Sequence, residues 1–299
     1  MKSILSAKRL HARAVVARRR PPLSIPQEQN IMHDTTFITA GDGCRIAYRL
    51  DGADDNPVLV LSNSIGTTLH MWDAQIAALT EHFCVLRYDF RGHGKSDVPP
   101  GAYSMDRLGR DVVELLDALN IGRAHFLGLS LGGFVGQWLG IHASDRIDQL
   151  ILSNTSSRLG PVSEFDARIK ALKTSPDMAA VAEGFLAAWF PRPMLEVMHP
   201  EVQPFRDMLL STPPQGLAGL YAAVRDADMR RTIALIDRPT LVIAGTDDTV
   251  TLASHGEHIA STVPGARLVM MPAVHLPNIE HPKMYARTVL DFLRETEVA

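Results

Sequence analysis

Long apolar runs are missing from this chain. None approaches the roughly 18 residues needed to cross a membrane, so a membrane partner is not expected. Cysteine is scarce, with two in 299 residues. That is too few for a disulfide framework. Cys44 and Cys84 lie far apart in apolar, strand-like runs, and they are expected to be buried free thiols of a reducing, cytoplasmic compartment. An excess of either charge is also absent: 30 basic residues face 33 acidic ones, for a formal −3. Nothing in that balance points to nucleic acid. A metal-ligand pattern is missing too. His255 and His258 sit at helical spacing, but no third ligand accompanies them, so a solvated helix face is expected and no metal or cofactor. Acid is absent from the first residues up to Glu28, where Lys2, Lys8, Arg9, Arg13 and Arg18-Arg19-Arg20 precede Pro21, Pro22 and Pro26. The short apolar run comes before the arginines, the reverse of a secretory signal. Residues 1–33 are expected to be a basic, proline-rich disordered tail, although an organelle transit peptide shares that composition. Met32 directly precedes the first globular sequence.

What is present is alternation. Apolar runs at 58–61, 83–88, 124–127, 148–152, 239–244 and 267–270 read as strands, and continuous apolarity suits strands covered on both faces. A hairpin around Gly41-Asp42-Gly43 precedes them. Helices are expected near 71–81, 104–120, 253–261 and 284–294. Residues 155–232 read as helices broken by prolines. The fold class is therefore α/β, a doubly wound, mostly parallel sheet. The core would be 34–154 and 233–299, and the inserted helices 155–232 would cap the strand ends where ligands bind.

The chemistry centres on Gly128-Leu129-Ser130-Leu131-Gly132-Gly133. It lies between a strand and a helix, the context in which G-x-S-x-G makes a sharp turn presenting a nucleophilic serine. A serine needs a base, and the base needs an orienting acid. Asp247-Asp248 follows strand 239–244, and His275 follows strand 267–270. Asp248 is preferred over Asp247 because it lies three residues past Gly245. The Leu131 amide would be one oxyanion donor, with Ser64 or Ile65 supplying the other from the loop after strand 58–61.

Taken together these residues look like the α/β-hydrolase superfamily over about residues 35–297. Ser62-Asn63-Ser64-Ile65-Gly66-Thr67 with Met71-Trp72, Asp89-x-Arg91-Gly92-His93-Gly94-x-Ser96, the Ser130 elbow and His275-Leu276-x-Asn278-Ile279-Glu280 resemble the 3-oxoadipate enol-lactonases. The Ser-Asn-Ser loop discriminates most, since relatives usually carry His-Gly there. Leu131 replaces a common methionine, and Val274 a common Ala or Gly. The resemblance implies a small-molecule lactone or ester substrate, opened through an acyl-enzyme on Ser130 in aromatic catabolism. Because that lactone carries a carboxylate, the inserted helices would have to offer a cation. The candidates include Arg158, Arg168, Lys170, Lys173, Arg192 and Arg225, with Arg225 preferred and a surface pair with Asp226 or Asp228 as its alternative. Trp138 could form an apolar wall beside the ring. A general esterase with perhydrolase-like activity and a C–C hydrolase of ring-cleavage products are the alternative activities. Dehalogenase and epoxide hydrolase readings fail, because those need Asp at position 130. The sequence gives no indication of oligomeric state.

Overall fold

The structure is a computed structural model and describes residues 36–295. The tail expected over 1–33 lies outside the described residues.

Strands β1 (Thr36–Thr39) and β2 (Arg45–Asp51) form the hairpin about the Gly41-Asp42-Gly43 turn. Then come β3 (Val58–Ser62), α1 (Asp73–Leu79), β4 (Cys84–Tyr88), α2 (Met105–Ala118), β5 (Ala124–Leu129), α3 (Leu131–His142) and β6 (Ile147–Ser153). Five helices follow: α4 (Val162–Thr174), α5 (Met178–Trp189), α6 (Arg192–Glu196), α7 (Val202–Ser211) and α8 (Pro214–Asp226). The chain closes with β7 (Thr240–Gly245), α9 (Ala253–Thr262), β8 (Arg267–Met271), α10 (Pro277–Glu280) and α11 (Pro282–Glu295). The strand order is β1-β2-β4-β3-β5-β6-β7-β8, with β1 and β2 antiparallel and the rest parallel. The order reverses around β3, so crossovers place helices on both faces. Helix α1 is shorter than the expected 71–81, because a 3₁₀ turn at Leu69–Trp72 takes its first residues. Helix α2 starts where Ser104 accepts the Arg107 amide hydrogen, a cap worth about 1 kcal/mol. Prolines between β6 and β7 mark helix starts: Pro161 precedes α4, Pro191 precedes α6, and Pro213 with Pro214 opens α8. A proline there forgoes only an amide hydrogen that has no intrahelical partner.

Successive strand residues point to opposite faces. Val58, Val60, Phe126, Leu150 and Val242 pack in a core with α2 and α3. Their neighbours Leu59, Leu61, Leu127, Ile151 and Leu241 pack on the other face with Trp72, Tyr285 and Phe292. Cys44 and Cys84 are buried, and neither forms a disulfide.

The Asp89–Ser96 motif works as a clamp. Ser96 Oγ donates to the Asp89 carbonyl and accepts the Ala47 amide. Asp89 accepts the Leu69 and Lys95 amides. Arg91, buried, grips Asp111 of α2 through Nε at 2.6 Å and Nη2 at 2.7 Å, and its fork also reaches Asp42. Removing Asp111 leaves the buried Arg91 with only the more exposed Asp42 as a carboxylate partner. Asp111→Ala is therefore expected to cost about 3 kcal/mol, read by urea unfolding. A loss well under about 1 kcal/mol would mean that the pair behaves as a solvated one.

Candidate active site

At the end of β5 the backbone turns through Ser130, which adopts φ 56° and ψ −114°. A non-glycine residue there is strained and persists only where its surroundings hold it. Those surroundings are visible. The Ser130 amide donates to the Ser153 carbonyl at 2.9 Å, and the Ser130 carbonyl accepts Thr155 Oγ1 at 2.7 Å. Two glycines let the turn close. A Cβ on Gly128 would lie 2.1 Å from the Gly132 carbonyl oxygen, and one on Gly132 would lie 2.2 Å from that of Ser62. Helix α3 then begins at Leu131, whose amide has no intrahelical acceptor.

The loop after β3 is fastened at nearly every residue. The Asn63 carbonyl accepts the Gly132 amide at 2.9 Å, which ties the loop to the elbow. Asn63 Nδ2 donates to the Tyr88 carbonyl and Asn63 Oδ1 accepts from Trp72 Nε1. The Ser64 amide points at Met71 Sδ, 3.2 Å away, and the Gly66 amide donates to His93 Nε2 at 3.0 Å. Between them the Ile65 amide makes no hydrogen bond among the described residues.

His275 is buried, with Nδ1 2.8 Å from Asp248 Oδ2. Asp248 is itself held by the Val250 and Thr251 amides on Oδ1, and by Thr251 Oγ1 and Asn154 Nδ2 on Oδ2. Burial pushes its carboxyl pKa up, but the His275 ring and these donors outweigh burial and leave it below the usual range. The structure thus brings Asp248, not Asp247, to His275; Asp247 is exposed and bonded to Thr246. His275 Nε2 is buried without a partner among the described residues. The histidine's own loop is braced by Glu280, which accepts the Val274 amide. Asn278 braces it too, donating to the Met71 carbonyl and accepting Gln75 Nε2.

Two expected substrate contacts are corrected. Trp138 does not border the elbow. It packs on Gly109 of α2 and against His142, because eight residues along a helix carry it about 12 Å from Ser130. Arg225 does not reach inward either. Its guanidinium is bound by Asp166 and Asp226, the surface pairing given as its alternative. Arg168 and Arg192 pair with Glu164 and Glu196, and Lys170 and Lys173 are exposed.

Several supporting residues escaped the sequence reading. Asn154 has φ 41° and links the end of β6 to Asp248. Its place just past an apolar strand was the available signal. Thr251, three residues past Asp248, was another. His93 was read only as part of a motif. Burial drives its pKa down to about 4, so it stays neutral and Nε2 remains an acceptor for Gly66. A histidine with a depressed folded pKa is protonated first in the unfolded state. Stability should therefore rise with pH from about 4 to about 6.5, by about 3 kcal/mol, and change little from this source outside that window. His93→Gln keeps an acceptor and should flatten that slope in pH-dependent unfolding; an unchanged slope would assign it to other groups.

A family model described as alpha/beta hydrolase fold matches residues 57–282. Among curated proteins, 3-oxoadipate enol-lactonase 2 of Acinetobacter baylyi is 35% identical over 259 residues, covering 87% of this chain and 96% of its own. The crystal structure of a hydrolase from Pseudomonas aeruginosa PA01 is similar at TM-score 0.87 and 59% identity, covering 88% of this chain and 100% of its own. That of the enol-lactonase from Burkholderia xenovorans LB400 is similar at TM-score 0.84 and 39% identity, covering 86% and 99%.

Proposed function

Since the chain belongs to the α/β-hydrolase fold family and is an ester-hydrolysing enzyme, we propose that Ser130, His275 and Asp248 open a small lactone, 3-oxoadipate enol-lactone. The observation that carries this reading is the buried His275: Nδ1 is fixed by Asp248 and Nε2 is left without a partner among the described residues. Ser130 Oγ attacks the lactone carbonyl, and its proton passes to Nε2. The oxyanion that forms accepts hydrogen bonds from the amides of Leu131 and Ile65, the latter chosen because Ser64 is turned to Met71. Collapse breaks the ring C–O bond, and the departing enolate takes the proton back from His275. The enol is a better leaving group than an alkoxide, and its ketonisation prevents re-closure. Water, activated by His275, then frees Ser130. Helices α4–α8 cap the site in this reading. The lactone is favoured by the Asn63 loop and by likeness to two enol-lactonases over most of the chain.

One observation favours a neutral ester instead. Of the candidate arginines, Arg168, Arg192 and Arg225 are each engaged by carboxylates, and Arg158, beside Asp228, lines a cavity whose walls include none of Ser130, Asp248 and His275. The two substrates are separated by kcat/KM for the enol-lactone against an uncharged ester of similar size, and faster turnover of the ester would replace the lactone reading. Arg225→Ala is expected to leave KM for both within about twofold, since an exposed pair contributes about 1 kcal/mol or less. A KM rise confined to the anionic lactone would return Arg225 to the site.

A further inference from the structure

A cavity of about 290 Å³ lies apart from Ser130, Asp248 and His275 and is lined by Ser156, Ser157, Arg158, Arg230, His255 and His258 among others. We propose that it binds a small dianion, a phosphate or a short dicarboxylate. Its walls come from three places in the chain: the loop after β6, the loop after α8, and the first turns of α9. Backbone contacts fix the first two walls to each other. Arg158 and Asp228 form an antiparallel bridge, and the Met229 amide donates to the Ser157 carbonyl at 2.8 Å. The main chain thus fixes where the two arginines start, and their side chains, 44% and 50% exposed, line the cavity.

The charge in the cavity is unbalanced. Asp228 is the one carboxylate that meets these arginines among the described residues. Arg230 takes both of its oxygens, at 2.9 and 2.6 Å. Arg158 Nε stands 3.7 Å from it, beyond hydrogen-bond reach. The Arg158 fork thus keeps donors of the geometry that suits phosphate or carboxylate. His255 and His258, one turn apart on α9, complete the lining, and His255 Nδ1 is turned into the protein with no partner among the described residues. Burial lowers the His255 pKa, so the cationic charge of the cavity comes from the arginines. The pair at helical spacing is thereby assigned to an anion. Two guanidiniums beside it would repel a metal ion.

The test is isothermal titration calorimetry at constant ionic strength, with inorganic phosphate, adipate, acetate and chloride as separate titrants. Phosphate or adipate should saturate one site, and the tighter of the two identifies the natural class. R158Q/R230Q should weaken that binding by about tenfold or more, the loss of charge-assisted hydrogen bonds. H255F, which replaces a polar ring in the lining by an apolar one and keeps both arginines, should weaken it as well. Turnover of p-nitrophenyl acetate and the melting temperature should stay at wild-type values in both variants, so failure of this proposal is read independently of the Ser130 mechanism. The proposal is overturned if neither dianion saturates, if acetate binds as tightly, or if R158Q/R230Q binds like wild type.

Discussion

Ser130→Ala and His275→Ala should each abolish nearly all turnover, with a loss of about a millionfold in kcat. Each removes a different half of one proton transfer, so the double variant should be little worse than either single one. Without Ser130 Oγ there is no acyl-enzyme. Without the imidazole the hydroxyl keeps its proton and the enolate leaves unprotonated. Alanine is small enough for the 56° φ at position 130, and the Ser153 and Thr155 contacts to its backbone remain, so the fold should survive. Steady-state rates and circular dichroism check both points. Retention of more than about 1% of turnover by a folded Ser130→Ala protein would remove Ser130 as nucleophile.

Asp248→Asn should cost about 10⁴ in kcat. The reason lies in hydrogen-bond polarity. Oδ2 accepts from His275, Thr251 and Asn154, and Oδ1 accepts two amides. An asparagine cannot accept all of these, and its NH₂ must face either the two amides or the imidazole. If it faces His275, the ring takes the tautomer with its proton on Nε2 and can no longer act as base. Asp247→Asn, on an exposed side chain, should stay within about twofold of wild type. The reverse ranking would exchange the two residues. The depressed Asp248 pKa adds a sign. The hydrogen bonds its carboxylate accepts stabilise the fold above the unfolded carboxyl value, and they are lost as pH falls through the folded one. Wild type should thus lose stability in acid more steeply than Asp248→Asn, in pH-dependent unfolding.

The strands and helices were legible because each rests on local periodicity. The run 58–61 carries Val and Leu on alternate sides, and it packs into two cores on opposite faces. The 104–120 helix was visible in Leu108, Val112, Leu115 and Leu116, all buried. Asp248 was chosen by its spacing from Gly245, and the structure sets it on His275. Where the sequence reading misplaced something, it was asking which distant partner a side chain would choose. Trp138 and Arg225 were both placed by what their own helix suggested. One instead fills the notch at Gly109, 29 positions earlier, and the other meets Asp166, 59 positions earlier.

Sequence by itself determined the alternation of elements, the sharp turn at Ser130 and the places of Asp248 and His275 just past late strands. These depend on backbone stereochemistry and on repeats of two or about 3.6 residues, which are written in neighbouring positions. Tertiary structure alone decided which of Ser64 and Ile65 leaves its amide without an acceptor. It alone joined Asn154 to Asp248 across 94 positions and Asn278 to Gln75 across 203. It also set His255 and His258 in one cavity lining with two arginines. A buried polar group must find a partner wherever the fold brings one, and no local pattern encodes that choice.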